Sequence, residues 1–127
     1  MIFLFTDFRY DGPYVGQMKA VLSRLAPSVP IIDLMHDAPS CDPKRAAYLL
    51  AALAQESQLG DIWLCVVDPG VGGSRRPVVL DCGGVCFVGP DNGLFELISR
   101  RIEGASLKEI TWRPEIMSAT FHGRDLF

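Results

Sequence analysis

The sequence predicts an α/β fold, a mainly parallel β-sheet flanked by helices with one β-hairpin. Three observations carry that expectation. Short apolar runs of strand length alternate with stretches of helical period through residues 2–67. Each of the first three apolar runs ends abruptly in a polar loop that carries aspartate. A Gly83-Gly84 pair separates the two apolar runs that follow. Strand–helix–strand–helix–strand at this spacing is the pattern of parallel strands joined by crossover helices, and a glycine pair between short strands is a hairpin signal.

In chain order, residues 2–5 (IFLF) read as a buried strand, stopped by the polar loop from Thr6 to Pro13 with its Gly-Pro breaker. Tyr14, Val15, Met18, Val21, Leu22 and Leu25 then recur at helical period, giving an amphipathic helix that ends before Pro27. Residues 30–34 (PIIDL) form a second strand, with 36–41 as its exit loop. Asp42 followed by Pro43 is an N-cap with proline at the first helical position. The helix behind it, with Ala46, Leu49, Leu50 and Leu53 on one face, is expected to reach about Ser57. Residues 62–67 (IWLCVV) are the most apolar strand and the expected centre of the sheet. A loop rich in glycine and charge, 68–76, leads to the paired strands 77–80 and 85–88. Gly89 to Gly93 is a turn and expected cap, Leu94, Leu97, Ile98 and Ile102 mark a third helix, and 107–111 suit a last strand.

Composition bounds the function. The 127 residues suit one domain, and 49% hydrophobic with 21% charged residues supply a core. Twelve Lys and Arg against fifteen Asp and Glu leave a net charge of −3, which argues against nucleic acid as a partner. No apolar run approaches the ~20 residues of a membrane span, and the start lacks the basic region and small-residue cleavage site of a signal peptide. Cys41, Cys65, Cys82 and Cys86 form no C-x-x-C pair, and Cys65 and Cys86 lie in strand-like runs. Free thiols in the reducing cytoplasm are the expectation. With only two histidines in the chain, a zinc site lacks ligands.

Chemistry is expected beyond the carboxyl ends of the strands. Asp7 follows the first strand, His36 and Asp37 the second, and Asp68 the third. Aspartates at such places also serve as caps and turn formers, so one alone says little; three at one edge say more. The run Asp68-Pro-Gly-Val-Gly-Gly-Ser-Arg75 superficially suggests a phosphate cradle, yet it lacks the lysine of a G-x-x-x-x-G-K-[ST] loop. Framed by a carboxylate and a guanidinium, it fits the positioning of a small polar group, with Arg75 pairing with Asp68 and keeping it ionised. The plain alternative is a structural salt bridge across a tight loop. His122 stands between Phe121 and Gly123, beside Arg124 and Asp125, in a segment dense in chemically capable side chains. A metal site of His36 with Asp7, Asp11 and Asp37 is a weaker possibility, because such loops are common as turns and caps.

Six stretches together resemble the S-adenosyl-L-methionine (SAM) hydroxide adenosyltransferases, relatives of the SAM-dependent fluorinase and chlorinase. They are Thr6-Asp7-Phe8, Tyr14 to Lys19, Ile32 to His36, Val67 to Gly72 with Arg75-Arg76, Gly89 to Gly93, and Thr120 to Asp125, and they cover essentially the whole chain in register. The resemblance implies that water or hydroxide attacks C5′ of the SAM ribose, releasing methionine and adenosine. It implies Asp68, Arg75 and His122 as the water-handling residues and Asp7 as the partner of the ribose hydroxyls. Val71, Phe121 and Gly123 match positions lining the reacting end of the pocket. The halogenating relatives have a tyrosine where this chain has Asp68, and an anionic Asp68 would repel a halide. No metal or redox cofactor is implied, and the substrate, SAM, is the expected small-molecule partner.

Two departures from the family pattern stand out. The family usually has Gly after Thr-Asp-Phe, where this chain has Arg9. Family members also continue past the Arg-Asp end into a second, mostly β domain that helps grip the substrate across the subunit interface of a homotrimer. Residues 1–127 are therefore expected to be an N-terminal α/β domain, truncated at its C-terminal end. The alternative to a SAM hydrolase is a truncated, non-catalytic domain of the same family, and a carboxylate-rich metal hydrolase is a third reading.

Overall fold

The computed structural model describes residues 1–127. Its single sheet contains β1 (Ile2–Thr6), β2 (Ile31–Met35), β3 (Ile62–Val66), β4 (Pro77–Cys82), β5 (Val85–Pro90) and β6 (Ser106–Glu109). Four helices accompany it: α1 (Tyr14–Leu25), α2 (Pro43–Leu53), α3 (Glu96–Arg101) and the short α4 (His122–Asp125). The strand order is β2-β1-β3-β5-β4-β6. β2, β1, β3 and β5 run parallel, while β4 pairs antiparallel with both β5 and β6. The expected α/β sheet with a hairpin is therefore present, and its antiparallel edge makes it a mixed sheet. No helix is long and apolar enough to cross a membrane.

Alternation along β3 explains why it is apolar throughout. Trp63, Cys65 and Val67 belong to a cluster of 15 buried residues that includes Phe5, Ala46, Leu50, Phe87, Leu94 and Ile98. Leu64 and Val66 point the other way, into a cluster of 5 with Ile2, Leu4 and Met18, against which Leu22 and Phe127 also pack. A strand covered on both faces must be apolar at both parities. The larger cluster lies under α2 and α3, the smaller under α1 and α4.

The elements depart from expectation where tertiary contacts decide. Asp42 caps α2 as expected, its Oδ1 accepting the Arg45 N–H at 3.0 Å. However, the helix buries Ala46, Ala47, Leu50 and Ala51 and leaves Leu49 exposed. It ends at Leu53 and tightens into a 3₁₀ turn over Ala54–Glu56, so the expected run to Ser57 is shortened. In α1 only Val15 and Met18 are buried; Leu25 is 80% exposed. The hairpin strands are longer than read, closed by Gly83 and Gly84 at φ 65° and 95°, values that favour glycine. The turn after β5 does not cap α3, whose preceding residue is Phe95 with no side-chain cap. β6 begins and ends earlier than 107–111 and is exposed at every position.

Candidate active site

The chain passes from β1 to β2 on one side and then to β3 on the other, so the direction of winding reverses between β1 and β3. Crevices at such reversals are the binding places of open α/β sheets. Asp7 leaves β1 and Asp68 leaves β3 at this point, and the Asp7 main-chain N–H donates to the Val66 carbonyl at 3.3 Å. Continuing the alternation of β3 puts Asp68 on the side of Leu64 and Val66, where α4 lies.

Asp68, Arg75 and His122 meet there. Arg75 Nε donates to both carboxylate oxygens of Asp68, at 3.1 and 3.0 Å, and Nη2 adds a third bond at 2.5 Å. Their side chains are only 9% and 4% exposed. The structural salt bridge foreseen across the loop thus exists, and it is buried. A buried pair of this kind depends on satisfied hydrogen bonds to offset desolvation, and the fork geometry of arginine supplies them. Arg75 Nη2 also lies 2.8 Å from Nδ1 of His122, and the guanidinium stands 5.1 Å over the Phe127 ring. Arginine has no acceptor and keeps its proton, so Nδ1 of His122 must offer its lone pair. The imidazole is then neutral, with its proton on Nε2. Burial, followed by the Arg75 charge, holds the His122 pKa below the usual histidine value, while Asp68 and Asp125 oppose that shift.

Local sequence explains how these three groups reach one another. The loop from Asp68 is folded by two turns, Val71 N–H to Asp68 carbonyl at 3.2 Å and Gly73 N–H to Gly70 carbonyl at 2.9 Å. Gly72 adopts φ 78°, and a Cβ there would lie 2.8 Å from the Ala119 carbonyl oxygen. Gly72 therefore serves close packing against the segment before α4. Within α4, a Cβ on Gly123 would meet Phe8 Cζ at 2.9 Å and Val66 Cγ1 at 3.3 Å, so glycine lets the helix sit down on β3. Asp125 accepts the Ser118 N–H at 2.7 Å and pairs with Arg124, which lowers its pKa through the Arg124 hydrogen bond.

The remaining sequence candidates are more dispersed. Asp7 accepts the Cys41 N–H at 2.8 Å and makes no hydrogen bond to the trio. Val71 is half-exposed on the loop. Phe121 is buried, edge-on to Tyr14 and Phe8 with centroids at 5.1 and 5.6 Å. Gly123 is buried against Phe8. Of five cavities of about 170–490 Å³, the one of about 250 Å³ is lined in part by Gly123, and none of the five by Asp68, Arg75, His122 or Asp7.

The weaker constellation of His36 with Asp7, Asp11 and Asp37 does not assemble. No three His, Cys, Asp or Glu side chains converge on a point that could hold a metal ion. His36 is buried, with Nδ1 2.7 Å from Thr6 Oγ1 and Nε2 3.4 Å from Asp33 Oδ1. It joins the ends of β1 and β2. All four cysteines are free, and burial pushes the Cys65 thiol well up. Cys41, however, is exposed, unlike Cys65 and Cys82.

Comparison with known proteins bears on this geometry. The model of the SAM hydroxide adenosyltransferase N-terminal domain matches residues 2–127. The chain belongs to that family. It is 40% identical to an (R)-S-adenosyl-L-methionine hydrolase of Thermus thermophilus over 99% of this chain and 53% of that protein. A hydrolase of the same name from Salinispora arenicola is 40% identical over 96% of this chain and 48% of its own length. One from Methanocaldococcus jannaschii is 33% identical over 100% and 50%. A solved structure of an uncharacterized conserved protein from Thermotoga maritima superposes with a TM-score of 0.94 at 35% identity, covering all of this chain and 51% of that one. The chain thus spans about half the length of the curated relatives it matches.

Arg9 stands out in the backbone. Arg9 adopts φ 60°, the left-handed region that favours glycine, while its N–H donates to the His36 carbonyl at 2.6 Å. That backbone suits a residue with a side chain poorly. Three further residues went unassigned in the sequence: Thr6, which orients His36; Asp125, which ties α4 to Ser118; and Asn92, which donates to the Val67 carbonyl. The sequence signs of each were its place in one of the six family-like stretches and in a polar run at a strand exit or helix end.

Proposed function

We propose that this chain carries the water-handling part of a SAM hydrolase, which converts S-adenosyl-L-methionine and water to adenosine and L-methionine. The observation that carries the reading is the buried line Asp68–Arg75–His122 at the winding reversal. A water oxygen attacks ribose C5′ as the C5′–S bond breaks, and the bonding pair stays on sulfur as the neutral thioether of methionine. A sulfonium needs no acid or Lewis acid to leave. The protein's task is to hold one water in line with that bond and to take its proton.

The tautomer fixes the division of labour. With Nδ1 committed to Arg75, His122 presents Nε2–H as a donor that orients the water oxygen. Asp68 is the proton acceptor. A water that has bonded to carbon is strongly acidic, so a carboxylate suffices to take its proton. Arg75 holds both groups and offsets the charge. Asp7, with one oxygen on the Cys41 amide, has the other for a ribose hydroxyl. Val71 borders the reacting end from the loop, while Phe121 and Gly123 shape it from behind by seating α4. The anionic Asp68 disfavours chloride and fluoride as nucleophiles. In this reading the reaction needs no metal or other cofactor, and a homotrimer is the working assembly.

The test is incubation of the chain with SAM, with and without EDTA and with chloride, followed by chromatography. Adenosine and methionine should form, insensitive to EDTA, without a chlorinated nucleoside, and Asp68→Asn should abolish them. Absence of product from well-folded protein would favour a non-catalytic domain. Sedimentation velocity distinguishes three associated chains from one.

A further inference from the structure

The turn after β5 reaches both ends of the loop that carries Asp68 and Arg75. β5 lies between β3 and β4 in the sheet, so its end at Pro90 sits between the point where that loop leaves β3 and the point where it enters β4. Asn92 Nδ2 donates to the Val67 carbonyl at 2.8 Å, on the peptide that leads into Asp68, while its Oδ1 accepts the Leu94 N–H at 3.3 Å. On the other side, the Asp91 main-chain N–H donates to the Arg76 carbonyl at 2.8 Å. The Asp91 carboxylate also takes a bond from Arg76 Nε at 3.0 Å. β5 can come this close because residue 89 is glycine; a Cβ there would lie 2.2 Å from the Cys65 carbonyl oxygen.

We propose that the turn of Asp91 and Asn92 is a positioning device that sets the separation of Asp68 and Arg75 by gripping the residue before the first and the residue after the second. Its catalytic consequence rests on the hydrolase reading above; its geometric content does not. The two grips are unequal. The Arg76–Asp91 ion pair is largely exposed and contributes little. The Asn92 bond to Val67 is partly buried and binds the peptide adjoining Asp68. The fork between Arg75 and Asp68 depends on coplanar alignment, so a small rotation of that peptide weakens it. Neither Asp91 nor Asn92 touches the trio, which makes both positioning residues.

Asn92→Ser keeps an oxygen near the Leu94 N–H but has no donor that reaches Val67. Asn92→Asp keeps both size and acceptor and also lacks the donor, so it serves if the serine variant folds poorly. Asp81→Ala, which removes the acceptor of the Gly84 N–H at the far end of the hairpin, is the control for general loss of stability. Solvent exchange of the Arg75 Nε–H, followed by NMR, is the direct reading. It should accelerate about tenfold in the Asn92 variants, the equivalent of one hydrogen bond, and not in Asp81→Ala. In active protein, kcat should fall roughly ten- to a hundredfold with KM within about twofold. Unchanged Arg75 exchange in the Asn92 variants, or equal acceleration in the control, overturns the proposal. If the parent chain makes no adenosine, the hydrolase reading fails on that result, and the exchange measurement alone decides the positioning.

Discussion

His122 shows what a single hydrogen bond settles. Nothing in Phe121-His122-Gly123 says whether the ring is neutral, whereas Arg75 at 2.8 Å from Nδ1 requires it. Its pKa lies below the ordinary histidine value in the folded chain, through burial and then the Arg75 charge. In the unfolded chain the ring titrates near 6.5. As pH falls through that value, the unfolded state binds the proton first, so stability is lost as pH falls towards the folded pKa and is fully present above 6.5. Urea unfolding between pH 7.5 and 5.5 should therefore cost the parent chain more stability than it costs His122→Asn. Arg9 carries the opposite lesson, because its left-handed backbone shows only in the folded chain. Left-handed geometry costs a side-chain-bearing residue about 1 kcal/mol, partly offset by the flexibility of glycine when unfolded. Arg9→Gly should raise stability by up to about 0.5 kcal/mol in urea titration.

At the scale of elements, α2 and α4 mark the range of what could be read. Asp42 and Pro43 announced the start of α2, because capping is a local interaction between residues 42 and 45. Which face of α2 turns inward depends on its position over the sheet, and the structure chose the alanine side over Leu49. α4 has only four residues and no side-chain cap, so periodicity had nothing to detect. It is held by long-range contacts, chiefly Gly123 against Phe8 and Val66. Gly123→Ala should overpack that contact at a cost of about 1–3 kcal/mol and move His122 away from Arg75. Calorimetry reads the first effect and loss of the depressed histidine titration reads the second; an unchanged melting temperature would refute both.

Across the whole molecule, the two faces of the sheet are unequally covered. The α2 and α3 side encloses 15 buried residues, the α1 and α4 side 5. On the thinner side Leu25 and Ile116 are 80% and 89% exposed, beside a groove of about 250 Å³ lined by Met18, Leu22, Trp112 and Phe127. Opening free energies follow local burial, so amide exchange should be slowest in β1, β3 and β5 and distinctly faster in α4 and residues 110–121. Protection of those segments on adding SAM would place the substrate on that face; uniform exchange across both faces would refute the asymmetry. Sequence by itself determined the parallel strands, the glycine hairpin, the capped helix and, through residues spread over the whole chain, the family. These depend on local spacing or on the identity of single positions. Only the tertiary structure decided that Asp68, Arg75 and His122 share one buried hydrogen-bonded line, that His36 belongs to Thr6 and Asp33, and that Asn92 reaches Val67. The contacts of His122 with Arg75, His36 with Thr6 and Asn92 with Val67 join residues far apart along the chain but brought together by the strand order, and a side-chain period cannot encode which strands become neighbours.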